Sequence, residues 1–293
     1  MNKKNQYFIS FDKKELFLSK NIIIMKAIIF CTLLCIFFIN TNAQSPFKVI
    51  SVNGEILAKK ANVTLQSGLE VKSNDNFAFL KPNSRAALIN PDLGRIILTE
   101  QNSANAFSKA AFAPAMSSVS TRGTSSNFMT SKTDLSNYFN EKLLVIDRLE
   151  IKISEKAFPM NSKAYFFIRY MYNGDEINKR LSFKSDTLII DKKELYTVDG
   201  KPIPNPDIDQ MKLYYYETIQ DNAKAIFINS FNLIFISNEQ LKSEVSLIID
   251  ACKKLPYEKT VNEVYDYLTS FYGAIDKSYV ESWIDIEFKL PKK

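Results

Sequence analysis

Apolar residues change their spacing once along this chain, near position 237. Before it they recur at every second residue, in short runs broken by Gly, Pro, Asn and Asp; after it they recur at intervals of three and four. A period of two is the signature of a strand with one face buried, and a period near 3.6 that of a helix with one buried stripe. A chain that spends its strands first and its helices last is not a βαβ alternation. The expected fold class is α+β: a small β-sandwich or roll module, then a mostly antiparallel β-sheet domain with two C-terminal helices. In "SNEQLKSEVSLIIDACKKL" the stripe is Leu241, Val245, Ile248, Cys252 and Leu255, with Ser237 and Gln240 as a capping box and Pro256 as the stop. In "TVNEVYDYLTSFYG" Thr260 and Glu263 are the expected cap, Val264, Leu268 and Phe271 the stripe, and Gly273 the stop. The last segment, "ESWIDIEFKL", fits two patterns. Ile284, Ile286, Phe288 and Leu290 alternate, whereas Val280, Trp283, Ile284 and Phe288 have helical spacing; the alternation is preferred and the expectation is a strand.

Residues 47–100 read as short strands. In "FKVISVNGEILAKK" Phe47, Val49 and Ser51 share one face and Ile50 and Val52 the other, and Asn53-Gly54 is a hairpin signal. Further strands are expected at Leu69–Lys72, Phe77–Leu80, Arg85–Asn90 and Arg95–Thr99, with turns at Pro82-Asn83 and Pro91–Gly94. The runs "VNGEI", "LQSGLEV", "SRAAL" and "DLGRIIL" resemble the skeleton of the FecR-like domain. The matching positions are Val52, Gly54, Ile56, Leu65, Gly68, Val71, Ser84, Ala86, Leu88, Asp92, Gly94, Ile96 and Leu98. The sequence departs from that pattern at Leu69, where the family carries Asp, and at Leu93, which splits an Asp-Gly pair. The resemblance implies a compact β-module at 44–100 and, in a chain that stays membrane-anchored, the outer half of a signal relay. The preceding tail is too short for the family's sigma-binding segment, so an anti-sigma role is not implied.

Residues 101–133, rich in Ser, Ala, Thr and Asn, read as an extended linker. Residues 134–293 form a second, α+β domain. It opens with a helical turn at Asp134–Asn140, capped by Asp134. "LLVIDRLEIKIS" directs Leu144, Ile146, Leu149, Ile151 and Ile153 inward, with a bulge near Arg148 where the parity changes. A hairpin turns at Asn173-Gly174, "DTLII" and "MKLYYYETI" are strands, and "KAIFINSFNLIFIS", apolar on both faces, suits a buried one.

"MKAIIFCTLLCIFFINTNAQSP" has the order of an export signal: Lys26, an apolar run from Ala27 to Ile39, and a polar segment ending at Ala43. The expectation is translation from Met25, cleavage after Ala43, and a mature chain outside the cytoplasm, periplasmic or secreted. Residues 1–43 are thus an extension plus signal peptide, and membrane attachment follows only if the apolar run is retained. Leu34 precedes Cys35 where a lipoprotein carries a small residue, which argues against lipidation.

Composition narrows the chemistry. The chain carries 38 Lys and Arg against 32 Asp and Glu, but residues 1–43 hold six of the Lys and two of the acids. The remainder has a net charge of only +2, which removes the case for a nucleic-acid partner. With no histidine anywhere, Ser-His-Asp and Cys-His catalysis and His-ligated zinc are excluded in their usual forms. Cys252 is the one cysteine beyond the leader, so the mature chain has no internal disulfide, and on its helical stripe it reads as a packed thiol. Asp207 and Asp209 are too few for a calcium loop. Asp191, Glu194 and Asp199 flank a turn and read as solubilising charges rather than a glycosidase pair. The candidate binding residues are Tyr214 and Tyr216, on one face of a strand with Tyr215 on the other; Tyr170 and Tyr172 are a second such pair. No cofactor, metal site or catalytic residue is expected. The expected role is a non-catalytic interaction or scaffold protein of the cell envelope with a protein partner; alternatives are a carbohydrate- or peptidoglycan-binding module using exposed tyrosines, and a membrane-anchored relay.

Overall fold

The structure, a computed structural model, describes residues 45–114, 128–203, 208, 210–220 and 222–292; the expected signal segment and Asp207 and Asp209 lie outside the described residues. The chain is α+β, with mostly antiparallel sheets, parallel only at β18–β9 and β10–β8 among the described strands, and its longest helices at the C-terminal end.

Seven strands come first: β1 (Phe47–Asn53), β2 (Ile56–Ala58), β3 (Val63–Thr64), β4 (Glu70–Val71), β5 (Phe77–Phe79), β6 (Arg85–Asn90) and β7 (Gly94–Thr99). They form two small antiparallel sheets, ordered β4-β1-β6-β7 and β3-β2-β5. Phe47, Val49, Ile56, Leu65, Ala86, Leu88 and Leu98 fill the space between them. Asn53-Gly54 does not close a hairpin, because β1 and β2 belong to different sheets. It is a corner, with Gly54 at φ 86° and a Cβ there falling 2.2 Å from Ser84 Oγ. That hydroxyl donates to Lys81 O at 2.7 Å and accepts from Glu55 N at 2.9 Å, fastening the corner. A bulge at Ile50 also inverts the expected faces beyond it. Val52 joins Phe47 and Val49 inside the module, while Ile50 points to the helices.

Residues 101–114, expected as the start of a linker, lie against this module. Phe107 packs edge-on to Phe47 with ring centroids 5.0 Å apart, and Ala111 exchanges backbone hydrogen bonds with Arg95. Gly94, at φ 92°, leaves room for that crossing: a Cβ would lie 2.1 Å from the Ala111 carbonyl carbon. Gly94→Ala combines a left-handed backbone with a backbone clash, and the expected loss is about 2–4 kcal/mol, above the usual range for a strained φ alone. It would be read as a lower urea midpoint, with faster proteolysis between residues 106 and 114 than in the parent chain.

The remaining elements are β8 (Phe128–Met129), α1 (Lys132–Tyr138), β9 (Glu141–Ile146), β10 (Arg148–Ile153), β11 (Ala164–Tyr172), β12 (Asp175–Arg180), β13 (Ser182–Lys184), β14 (Thr187–Asp191), α2 (Lys192–Leu195), β15 (Thr197–Val198), β16 (Lys201–Pro202), β17 (Met211–Ile219), β18 (Asn222–Ile236), α3 (Asn238–Ala251), α4 (Tyr257–Phe271) and α5 (Lys277–Phe288). One sheet runs β13-β14-β10-β8, and a larger one β12-β11-β17-β18-β9. The first α-helix is capped by Ser131, whose Oγ accepts from Asp134 N, and not by Asp134, whose carboxylate reaches back to Thr130. The change of parity near Arg148 is not a bulge. Asp147, at φ 55°, ends β9 and sends β10 into the other sheet. Ile151 and Ile153 therefore fill the space between the two sheets, while Leu144 and Ile146 face the helices.

The C-terminal segment is a helix, not a strand. Asp276 caps it by accepting from Tyr279 N at 2.9 Å. Val280, Trp283 and Ile284 are buried, whereas Ile286, which a strand would have turned inward with Ile284, is 71% exposed. The helices form a layer with sheet on two sides. Leu241, Val245, Ile248, Val264, Leu268 and Phe271 meet Ile50, Ala87 and Ile89 of the first module and Leu144, Ile146 and Ile236 of the large sheet in one apolar cluster.

Candidate functional site

The tyrosine run sits in the middle of the large sheet, and its alternation has the expected parity. Tyr215 points inward: it is 2% exposed and its hydroxyl donates to Pro159 O at 2.8 Å. Tyr214 and Tyr216 point outward and are half-buried. What the sequence does not reveal is the company they keep, because their neighbours come from strands paired across the sheet. Tyr216 stands opposite Tyr165, and Tyr214 opposite Phe167 on β11 and Phe227 on β18. The first pair stacks at 4.8 Å and the second at 5.0 Å with an 8° angle between planes; Phe227 meets Tyr214 edge-on at 5.5 Å. Directly opposed aromatic pairs of this kind stabilise a sheet by about 0.2–1 kcal/mol each.

Two arginines complete the face. The Arg180 guanidinium lies 4.2 Å above the Tyr165 ring, and that of Arg169 lies 5.0 Å from the Tyr214 ring centre. Arg169 Nε also donates to Asn178 at 2.8 Å and pairs with Glu176 at 3.2 Å. The rings stand on the sheet and lean on one another, so solvent meets chiefly ring edges, hydroxyls and guanidinium groups. Met171 and Phe227, 55% and 42% exposed, flank the rows. The same sheet face is covered by helices beside β9 and the end of β18; among the described residues no helix lies over β11, β17 and the start of β18, where Phe167 is nonetheless buried, 8% exposed, among the neighbouring side chains.

Tyr170 and Tyr172, the other candidate pair, do not join this face. Tyr170 is 2% exposed and donates to Leu195 O at 2.7 Å, and Tyr172 packs against the core between the sheets. The acidic candidates have local structural duties. Asp191 caps α2 by accepting from Lys193 N and Glu194 N, Glu194 accepts from Ser182 Oγ, and Asp199 occupies a left-handed turn before Gly200. Cys252 is buried, and burial pushes its thiol up to about 12, the opposite of what a nucleophile needs. Among the described residues no group of three acidic or cysteine side chains is placed to hold a metal ion.

No protein-family model and no curated protein matches the chain. What this site does must therefore be argued from its chemistry.

Proposed function

We propose that the protein is a non-catalytic binding protein of the cell envelope, and that it holds a protein partner on the outer face of β11, β17 and β18. The observation that carries this is the composition of that face: Tyr165, Tyr214, Tyr216, Phe167 and Phe227 in two rows, with Met171, Arg169 and Arg180 around them. Tyr, Phe, Met and Arg are the residues enriched at protein interfaces, because they bring large contact area at small conformational cost. The export-signal pattern expected at 25–43 and the resemblance of residues 44–100 to the FecR-like domain support the envelope setting. A glycan reading draws on Tyr216, whose cross-strand neighbour on β18 is the small Ala225; the rings of Tyr165 and Tyr214 have faces occupied by neighbours.

The test is site-specific photocrosslinking in the native host, with a benzoylphenylalanine at position 227 and, as a control, at exposed Ile286 on α5. A discrete protein adduct from position 227 and none from 286 is the expected result. No protein adduct at 227, with retention on peptidoglycan that Tyr216→Ala abolishes, would replace the proposal by the glycan reading. Equal adducts from both positions would overturn it.

A further inference from the structure

The aromatic face carries charge as well as rings, and the two are laid out in order across the sheet. Arg180 on β12 stands directly opposite Phe167 on β11, Phe167 opposite Tyr214 on β17, and Tyr214 opposite Phe227 on β18. This row runs from a cation, over two stacked rings, to an apolar side chain. With neighbouring strands about 4.8 Å apart, Arg180 and Phe227 are about 14 Å apart along it. A second row lies beside it, in which Arg169 stands opposite Asn178 on β12 and Lys212 on β17. Two cations in directly opposed positions repel one another.

The rings hold the arginines in place. The Arg180 guanidinium lies 4.2 Å from the centre of the Tyr165 ring, and one terminal nitrogen donates to Asn161 O at 2.9 Å. The Arg169 guanidinium lies 5.0 Å from the ring centre of Tyr214 and 5.9 Å from that of Phe167. Its contacts to Asn178 and Glu176 are both made through Nε. The five N–H donors of a guanidinium lie in its own plane, so a ring beneath the group attracts it without using them. A carboxylate approaching in that plane can take two of them at once. An arginine already positioned by a ring also has less freedom to lose on binding than a loose one. Solvent reaches these groups: Arg180 and Lys212 are exposed, and the Arg169 side chain is 34% exposed. At the other end of the first row Phe227 is 42% exposed.

We infer that the partner meets this face with an acidic segment, in which Asp or Glu stands about four residues of extended chain from a large apolar side chain, the number that spans the row. The carboxylates lie on Arg180 and Arg169, and the apolar side chain lies on Phe227. Charge complementarity of this kind sets which partner is accepted, and the rings supply the contact area. The inference rests on the reading of this face as a protein-binding surface and adds the chemistry of what it binds.

The probe is the fluorescein-labelled octapeptide Ser-Glu-Glu-Ser-Ser-Leu-Phe-Ser, titrated into the purified full chain and followed by anisotropy. One analogue has Gln in place of both Glu; another has the same composition with Leu-Phe directly after Glu-Glu. The expected result is saturable binding of the first peptide, with the Gln analogue about tenfold weaker and the respaced one about fivefold weaker. Arg180→Gln lowers affinity for the Glu peptide about tenfold and leaves the Gln peptide unchanged, a difference that a general loss of structure would not produce. Phe227→Ala weakens both peptides, and Ile286→Ala on α5 weakens neither. Equal affinities for the Glu and Gln peptides, or an Arg180→Gln loss that is the same for both, would overturn the acidic partner. So would a rise in affinity for the Glu peptide on Asp209→Asn or Asp221→Asn, because the arginines would then already be held by acids of this chain. Absence of binding of the Glu peptide at millimolar concentration would overturn the inference outright. The crosslink at position 227 separates the two levels. An adduct there together with equal peptide affinities removes the acidic partner and leaves the protein-binding face; no adduct removes both.

Discussion

Arg95→Met is expected to cost about 3–5 kcal/mol, the range for breaking a buried ion pair by removing one partner. For a chain of this size that is a fall of roughly 10 °C in Tm. Arg95 lies on β7 and is 9% exposed; Glu263 lies on α4 and is fully buried. Arg95 Nε donates to Glu263 Oε1 at 2.7 Å, its terminal nitrogens reach Ser270 and Asp266, and Ala113 N donates to the second Glu263 oxygen at 2.5 Å. Removing the guanidinium leaves the Glu263 charge enclosed with one backbone N–H for company. Asp266 suffers less, because its side chain is 44% exposed and water can replace the lost partner. The double variant Arg95→Met/Glu263→Gln removes the stranded charge but keeps an acceptor for Ala113 N, and it is expected to regain at least half of the loss. Urea unfolding of the parent, both single variants and the double variant measures this as a double-mutant cycle. A loss under 1 kcal/mol for Arg95→Met, or a double variant no more stable than the single, would mean that water reaches Glu263 and the pair does not tie β7 to α4.

This pair also marks the limit of what the sequence discloses. Thr260 and Glu263 have the spacing of a capping box, and that is how they read in isolation. The helix instead begins a turn earlier at Tyr257, Thr260 Oγ1 donates to Pro256 O, and Glu263 turns to a partner 168 positions away. Local spacing reports local hydrogen bonds and is silent about distant ones. Ser237 is a milder case: its Oγ accepts from Gln240 N as expected, but Gln240 Nε2 donates to Glu244 and leaves the box half made. Where one face of an element decides its pattern, the sequence is legible. The stripe Leu241, Val245, Ile248 and Cys252 is buried, and the hairpin at Asn173-Gly174 joins β11 to β12. Where an alternating and a helical reading share residues, as at Ile284 and Phe288, periodicity cannot arbitrate. The deciding feature was Asp276, three residues before Tyr279, a cap that only a helix uses. The candidate site divides in the same way. That Tyr214 and Tyr216 share a face follows from alternation. That helices cover this face at β9 and, among the described residues, not at β17 depends on where α3, α4 and α5 dock, which no residue near position 214 encodes.

Above pH 10 the fold is expected to lose stability steeply, because three buried tyrosines are locked as donors. Tyr170 donates to Leu195 O, Tyr215 to Pro159 O and Tyr267 to Glu244 Oε2, each at 2.7–2.8 Å. None of these acceptors has a proton to give, so a phenolate in any of the three positions would face an oxygen lone pair in a site closed to water. Burial accordingly pushes Tyr170 and Tyr215 up to about 12, and burial together with the Glu244 carboxylate pushes Tyr267 higher still. In the unfolded chain tyrosine ionises near 10. The folded state thus keeps protons that the unfolded state releases. The stabilisation is complete below pH 10 and falls as pH rises towards 12, at about 1.4 kcal/mol per pH unit for each tyrosine and roughly 4 for the three together. Set against a total stability of about 5–15 kcal/mol, the roughly 7–8 kcal/mol lost by pH 12 is enough to unfold a chain in the lower half of that range. Urea midpoints at pH 9, 10, 10.5 and 11, with tyrosinate absorbance recorded alongside, give the slope. Tyr215→Phe sharpens the assignment: it costs about 1 kcal/mol at pH 8 through the lost hydrogen bond, but makes the alkaline slope shallower by about 1.4 kcal/mol per unit, so the two stability curves converge as pH rises. A Tyr215→Phe curve that stays parallel to the parent from pH 9 to 11 would mean that the Tyr215 hydroxyl ionises in place, and that the Pro159 contact does not hold its proton.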